Sequence, residues 1–232
     1  TSKKRKNNQF EIFNRRLSQH KYIRINSKQR RWINNNDDKI CNTNTSILSH
    51  FCTIKQYKDG SYYIILSYPK EYKNDNNHTE DIVGLDPGVR TFQTFYGLDS
   101  SGKLGDNIVK NDLKKFHDNI DKLSSVISKK ESSKKLRYKL RKRCNKLRTK
   151  VKNIVSDLHW KSASYLTRKY KVVLLPTFNT KNMVERKLKK RKINNTTARG
   201  MMTLSHYSFK TKIKHLSKQY GSTVIECSEA YT

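Results

Sequence analysis

The stretch D-I-V-G-L-D-P-G-V-R-T-F-Q-T-F-Y-G-L, residues 81–98, decides how the chain is read. It opens on an apolar run, Ile82, Val83 and Leu85, broken only by Gly84. Asp86 falls where that run should still be buried, and Pro87 and Gly88 follow at once. From Val89 onward the pattern alternates. Val89, Thr91, Gln93 and Phe95 lie on one side, and Arg90, Phe92, Thr94 and Tyr96 on the other. A period of two is the mark of a strand. The expected structure is a strand, a kink at Pro-Gly and an extended continuation, with one carboxylate set into the sheet. A buried carboxylate is costly unless it is paired or bound to a metal, so Asp86 demands a partner.

Composition narrows the partners. The chain has 232 residues, enough for one large domain or two small ones. Lys and Arg outnumber Asp and Glu 51 to 19, a formal net charge of +32, and the obvious partner is a polyanion. The charge is spread along the whole chain without a lipid-anchoring amphipathic pattern, which favours nucleic acid over an acidic membrane. There is no signal peptide and no apolar span of membrane length. The expectation is an intracellular protein of the nucleus or cytoplasm, not secreted and without a membrane partner. Cys41, Cys52, Cys144 and Cys227 form no C-x-x-C pair, so free thiols are expected rather than a zinc site within the chain. The first residue is not Met, and a fragment of a longer protein is expected.

Outward from residues 81–98, the sequence divides at the charged linker 71–80. Residues 1–80 form one domain in this reading, 81–232 the other. The tail K-K-R-K-N-N is either a solvated tail or a nuclear localisation signal. A short helix and then an extended segment are expected over residues 10–33. Residues 47–57 and 61–69 read as a hairpin turning at Lys58-Asp59-Gly60. Lys55 and Lys58, among Tyr57, Tyr62 and Tyr68, suit phosphate contact and base stacking; strand core with solvated lysines is the plainer alternative.

Beyond residue 98, Leu113, Phe116, Ile120, Leu123 and Ile127 recur at spacings of three and four, which predicts an amphipathic helix. A second, long helix is expected over residues 134–170. The two should form an antiparallel hairpin with a basic outer face, Lys139 and Arg143 among its cations, as a phosphate track. Residues 171–176 read as a buried strand that completes a β-α-β unit. Residues 177–195 read as a basic loop, 203–220 as a helix stopped by Gly221, and 222–227 as a last strand. His159 and Trp160 are expected to pack, and His206 and Tyr207 are given no chemistry.

Carboxylates therefore sit in the first strand (Asp86) and around the last (Glu226 and Glu229). Two-metal phosphodiester cleavage needs acidic groups from different strands holding ions about 4 Å apart. Gly84-Leu85-Asp86-Pro87-Gly88-Val89-Arg90 resembles the first RuvC motif of the TnpB/Fanzor family of transposon-encoded RNA-guided DNA endonucleases. The long basic hairpin, the run V-V-L-L-P-T-F-N-T-K-N-M at 172–183 and the end T-V-I-E-C-S-E-A-Y-T at 223–232 resemble it too. The resemblance covers roughly residues 47–232.

It implies an α/β fold: an RNase H-like (RuvC) core with an inserted basic helical hairpin, preceded by part of a wedge-like β-barrel. It implies a Mg²⁺-dependent endonuclease with guide RNA and target DNA as partners, and Asp86 as first metal ligand. In most relatives the strand matching 172–175 ends in a second catalytic Glu; here Pro176 stands there. The glutamate relocated to the last strand in an E-x-Y-T context matches Glu229, with Glu226 as fallback. A third Asp and a Zn²⁺ ribbon would lie beyond Thr232. Arg90 and Lys103 would lie near nucleic acid at the site, though plain surface charge is the stronger expectation for Lys103. Two rivals stand beside this reading: a catalytically inactive nucleic-acid-binding protein of the same fold, and a ribosomal or structural RNA-binding protein.

Overall fold

The computed structural model describes residues 9–12, 52–57, 59–66, 77–129, 133–184 and 193–228. The chain divides into two compact units, Thr1–Glu71 and Tyr72–Thr232.

In the first unit, β1 (Gln9–Ile12), β2 (Cys52–Gln56) and β3 (Tyr62–Leu66) form an antiparallel sheet in that order. The β2–β3 hairpin closes as expected. Gly60 takes φ +85°, Tyr57 N–H donates to the Ser61 carbonyl, and the Asp59 carboxylate accepts from Ser61 N–H at 3.0 Å. The helix expected from residue 10 starts instead as strand β1, paired through Phe10 to Ile54. Cross-strand partners distant in sequence override a weak local pattern.

The second unit is an α/β layer. Its strands are β4 (Glu80–Pro87), β5 (Thr91–Gly97), β6 (Ser101–Asp106), β7 (Tyr170–Pro176) and β8 (Thr223–Cys227), in the order β6-β5-β4-β7-β8. β6, β5 and β4 run antiparallel; β4, β7 and β8 run parallel. Between β6 and β7 lie a wide helical turn (Val109–Leu113), α1 (Lys114–Ser128) and α2 (Lys134–Lys169). Between β7 and β8 lie α3 (Thr180–Val184), α4 (Asn195–Leu204) and α5 (His206–Tyr220).

α2 starts where the Ser133 hydroxyl accepts from Leu136 N–H. Its buried residues Cys144, Val151, Val155, His159, Ala163 and Leu166 follow helical spacing. α1 runs antiparallel to it: Cys144 faces Ile120, while the later Val151 packs on the earlier Leu113. The helix expected over 203–220 is two helices. Ser205 takes φ +46°, ends α4 and starts α5. Asn194 caps α4 by accepting from Thr197 N–H at 2.7 Å, inside the stretch expected to be loop.

One sheet face and the helices share the core. Val83 and Leu85 from β4, Val173 and Leu175 from β7, Leu166 from α2 and Phe209 and Ile213 from α5 are all buried. Phe92 breaks the alternation expected in β5, because it is buried beside its neighbour Gln93. Its ring is stacked between His159 and His206, with centroids at 5.0 and 5.2 Å, and meets Phe209 edge-on. Gly105 on β6 makes room: at φ +66°, a Cβ there would lie 3.0 Å from both Phe92 and Leu158.

Burial holds His159 and His206 down at about 4, so both rings are neutral near pH 7. Their folded pKa values lie below the ordinary histidine value. Stability is therefore full above about pH 6.5 and falls as pH drops towards about 4. Urea denaturation at pH 7 and pH 4.5 should show that loss, and His159→Phe with His206→Phe should flatten it. Phe92→Ala should cost about 3–5 kcal/mol by the same measurement.

Candidate active site at the carboxyl edge of the sheet

Because β4, β7 and β8 are parallel, their carboxyl ends share one edge. Gly84 pairs with Leu174, and Pro176 with Cys227. Two residues beyond Gly84, Asp86 falls level with Pro176. On its other side Asp86 pairs with Thr94, and Thr94 with Lys103. One row thus crosses all five strands: Lys103, Thr94, Asp86, Pro176 and Cys227. Residues level with one another in a sheet share a face. This row lies on the face opposite the core positions Leu85 and Leu175. Tyr96 and Ile225 on the same face are 59% and 45% exposed, so it meets solvent among the described residues.

Asp86 is exposed. The burial expected from sequence is therefore corrected: its position lies past the last β4–β7 pair, in water. The chain turns sharply just after it. Gly88 N–H reaches the Phe92 carbonyl at 3.3 Å, and a Cβ on Gly88 would lie 2.8 Å from the Thr91 carbonyl oxygen. Only glycine fits that approach.

Glu226 is level with Leu175 and so points with the core face, away from the row of Asp86. Lys210 grips its carboxylate at 2.7 Å and Lys214 closes on the other oxygen. Hydrogen bonds from these two lysines hold its pKa at about 2. Glu229 and Lys58 lie outside the described residues. Lys55 sits over the Tyr57 ring, its ammonium 5.6 Å from the ring centre. Arg90 is exposed beside a cavity that Lys110 and Lys114 also line, and Lys139 and Arg143 are exposed on α2.

A metal needs several oxygen ligands. Among the described residues no group of three or more His, Cys, Asp and Glu converges, and the row of Asp86 holds one carboxylate and the Cys227 thiol. Asp86 fits as one hard ligand, and the described residues alone do not complete a Mg²⁺ site. Sequence gave Lys103 little weight; its place two strands from Asp86 in the same row follows only from register. The hold of Lys210 and Lys214 on Glu226 was missed, because helix-to-strand contacts leave no periodic signal. Among the described residues no helix is long and apolar enough to cross a membrane.

Comparison with known proteins agrees with the motifs. The sequence model of the OrfB_IS605 family, described as a probable transposase, matches residues 65–187. The relative named "Putative transposase R186" of Acanthamoeba polyphaga mimivirus is 30% identical over 152 residues, 64% of this chain and 31% of the relative. The TnpB-like protein L79 of the same virus is 26% identical over 182 residues, 78% of this chain and 35% of the relative. The relative named "Putative transposase A625R" of Paramecium bursaria Chlorella virus 1 is 26% identical over 181 residues, 78% and 40%. The chain thus spans about a third of the mimivirus relatives' length. Two cryo-EM structures, a CRISPR-Cas12f ternary complex and a Cas12f1-sgRNA-target DNA complex, align at TM-scores of 0.46 and 0.47 with 17% and 14% identity. They cover 78% and 87% of this chain and 36% and 42% of theirs. With more than half its length matched by the family's sequence model, the chain belongs to the OrfB_IS605 family of probable transposases.

The register makes a direct prediction. Pro176→Glu should set a second carboxylate beside Asp86, about one strand spacing away. Calorimetry should then detect Mn²⁺ binding by this variant, and Asp86→Ala in the same background should remove it.

Proposed function

We propose that this family member is the core of a transposon-associated, RNA-guided, Mg²⁺-dependent DNA endonuclease with a RuvC-like site, of the Fanzor-like type. One observation carries the reading: a solvated carboxylate, Asp86, stands at the carboxyl edge of parallel strands in a chain of net charge +32. The strand order, three antiparallel strands continued by two parallel ones, supports an RNase H-like core. We read α1 and α2 as its basic helical hairpin and β1–β3 as part of a wedge-like barrel. The domain division at residues 80 and 81 belongs to this reading, as do guide RNA and target DNA as partners.

Asp86 and Glu229 are the residues we assign to the metal. Glu229 follows Cys227 by two residues, and Cys227 stands in the row of Asp86. Glu226 has the opposite parity and is neutralised by Lys210 and Lys214, which argues against the fallback. Bound Mg²⁺ would activate water and steady the leaving oxygen. The protein's own part is electrostatic: Lys103 in the row and Arg90 in the turn that follows Asp86 are the cations we assign to phosphates, and the general positive field concentrates the polyanion. A zinc ribbon is assigned to no described residue.

A second reading, a nucleic-acid-binding protein without catalysis, is favoured by one observation. Pro176 occupies the position level with Asp86 where a second carboxylate would stand.

Purified protein, with the RNA that copurifies, separates the two readings. DNA matched to that RNA should be cleaved with Mg²⁺ and not with EDTA. Asp86→Ala and Glu229→Ala should each remove cleavage while RNA binding persists, and Glu226→Gln should spare it. Cleavage that survives Glu229→Ala but not Glu226→Gln would move the second ligand to Glu226. No cleavage by the wild type would leave the binding reading in its place.

A further inference from the structure

A separate cavity of about 600 Å³ opens on the helical side of the sheet, between α1, α2 and the α4–α5 junction. Its size suits a small ligand. Ile120, Val151 and Val155 give it an apolar floor. Arg148, Lys152 and Lys212 line it as cations, with Arg199 at the side. Arg148, Lys152, Val155 and His159 recur at three and four residues, so one face of α2 forms the wall.

The charges here are not balanced. Among the lining residues the one carboxylate is Asp121, and Arg199 already holds both of its oxygens at 2.6 and 3.0 Å. Among the described residues no carboxylate pairs with Arg148, Lys152 or Lys212. Lys212 is instead fixed by neutral groups. Its ammonium donates to the Ser156 hydroxyl at 2.7 Å and carbonyl at 3.2 Å, and lies 5.1 Å from the Trp160 ring centre. Burial, and then the charge of Lys152, push its pKa down. His117 on the opposite wall is lowered by burial and by Arg199. Lys212, held in place and crowded by Lys152, forms with Arg148 a set of cations with no paired carboxylate among the described residues, and such a set is prepared for an anion.

His159 adds a second kind of demand. It is 1% exposed, and its Nε2 lies 2.8 Å from the Leu204 carbonyl. That contact requires the proton on Nε2, which leaves Nδ1 as a bare acceptor. Nδ1 has no hydrogen-bond partner among the described residues. A buried acceptor of this kind calls for a donor. A phosphodiester, which carries no proton at neutral pH, does not supply one; a sugar hydroxyl does.

We propose that this cavity binds one sugar–phosphate unit of RNA, with phosphate on Arg148, Lys152 and Lys212 and the ribose 2′-hydroxyl donating to His159 Nδ1. The hydroxyl distinguishes RNA from DNA at the same site. The site lies on the opposite side of the sheet from Asp86 and has no part in cleavage. The inference rests on the proposed function only in taking RNA as a partner, and a nucleotide probe tests it without any cleavage assay.

The experiment is an NMR titration of the chain, ¹⁵N-labelled at histidine, with adenosine 3′,5′-bisphosphate, its 2′-deoxy analogue and inorganic phosphate. The ribose probe should shift the His159 Nδ1 resonance and saturate. The deoxy probe should bind about fivefold more weakly, the factor of one ordinary hydrogen bond. Arg148→Gln with Lys152→Gln, both exposed, should weaken the ribose probe at least about tenfold. The charge-matched pair Lys135→Gln with Lys218→Gln should not. Equal affinity for the ribose and deoxy probes, or a silent His159 resonance, would overturn the sugar contact. Equal losses in the two double variants would show a diffuse field in place of a site and overturn the proposal.

Discussion

The register of β4 against β7 is the constraint on which the rest of the second unit depends, and the Glu80–Lys169 ion pair stands at its start. Its 2.6 Å contact joins the first residue of β4 to the last residue of α2, immediately before β7. Ser100 donates to the same carboxylate, and Gly97 leaves space for it, since a Cβ there would lie 2.8 Å from Glu80 Oε2. The side-chain hydrogen bond from Lys169 is the main force lowering the Glu80 pKa. Four elements therefore meet where Glu80 pairs with Tyr170. A slip of one residue in this pairing would turn every side chain of β4 to the other face. Asp86 would then point into the helical layer, and Leu85 into water.

From that starting point the two faces acquire different chemistry. The helical face takes the aromatic stack of Phe92, the neutral histidines and the core of α2 and α5. A carboxylate on this face, Glu226, is compensated on the spot by two lysines of α5. On the opposite face Asp86 has no such grip among the described residues, and it is level with Lys103 at one end and Cys227 at the other. A parallel neighbour cannot be reached by a tight turn, so a long crossover is obligatory. α1 and α2 serve as that crossover and bring much of the positive charge with them.

What could be read from sequence follows the range of each pattern. The strand-kink-strand reading of residues 81–98 rests on a period of two and a Pro-Gly pair, both local, and β4 and β5 match it. The long helix rests on a period near 3.6 and was placed within a residue at its end. Asp86 was expected inside because its strand is apolar; its exposure depends on where the partner strand stops. The break at Ser205 depends on a left-handed residue that is not glycine, which composition does not flag. Phe92 and Gln93 are both buried because α2 and α5 close over this end of the sheet, a fact with no sequence period. The row containing Lys103 required two registers to be known at once.

Pro176 ties the architecture to the site by what it lacks as well as by its place. Thr177 N–H donates to the Cys227 carbonyl, so that nitrogen faces β8. Alternation then turns the nitrogen of Pro176 towards β4, where it has no hydrogen to give. The β4–β7 ladder ends at Gly84 and Leu174, two residues before this point. A proline in the middle of a sheet is tolerated only where pairing has ended. The same residue, which brings no carboxylate to the row, therefore stands where β4 and β7 are no longer paired, at the level of Asp86. On the other side of β7 the row continues to Cys227 in β8. That is the direction in which Glu229 lies in the sequence, two residues after Cys227.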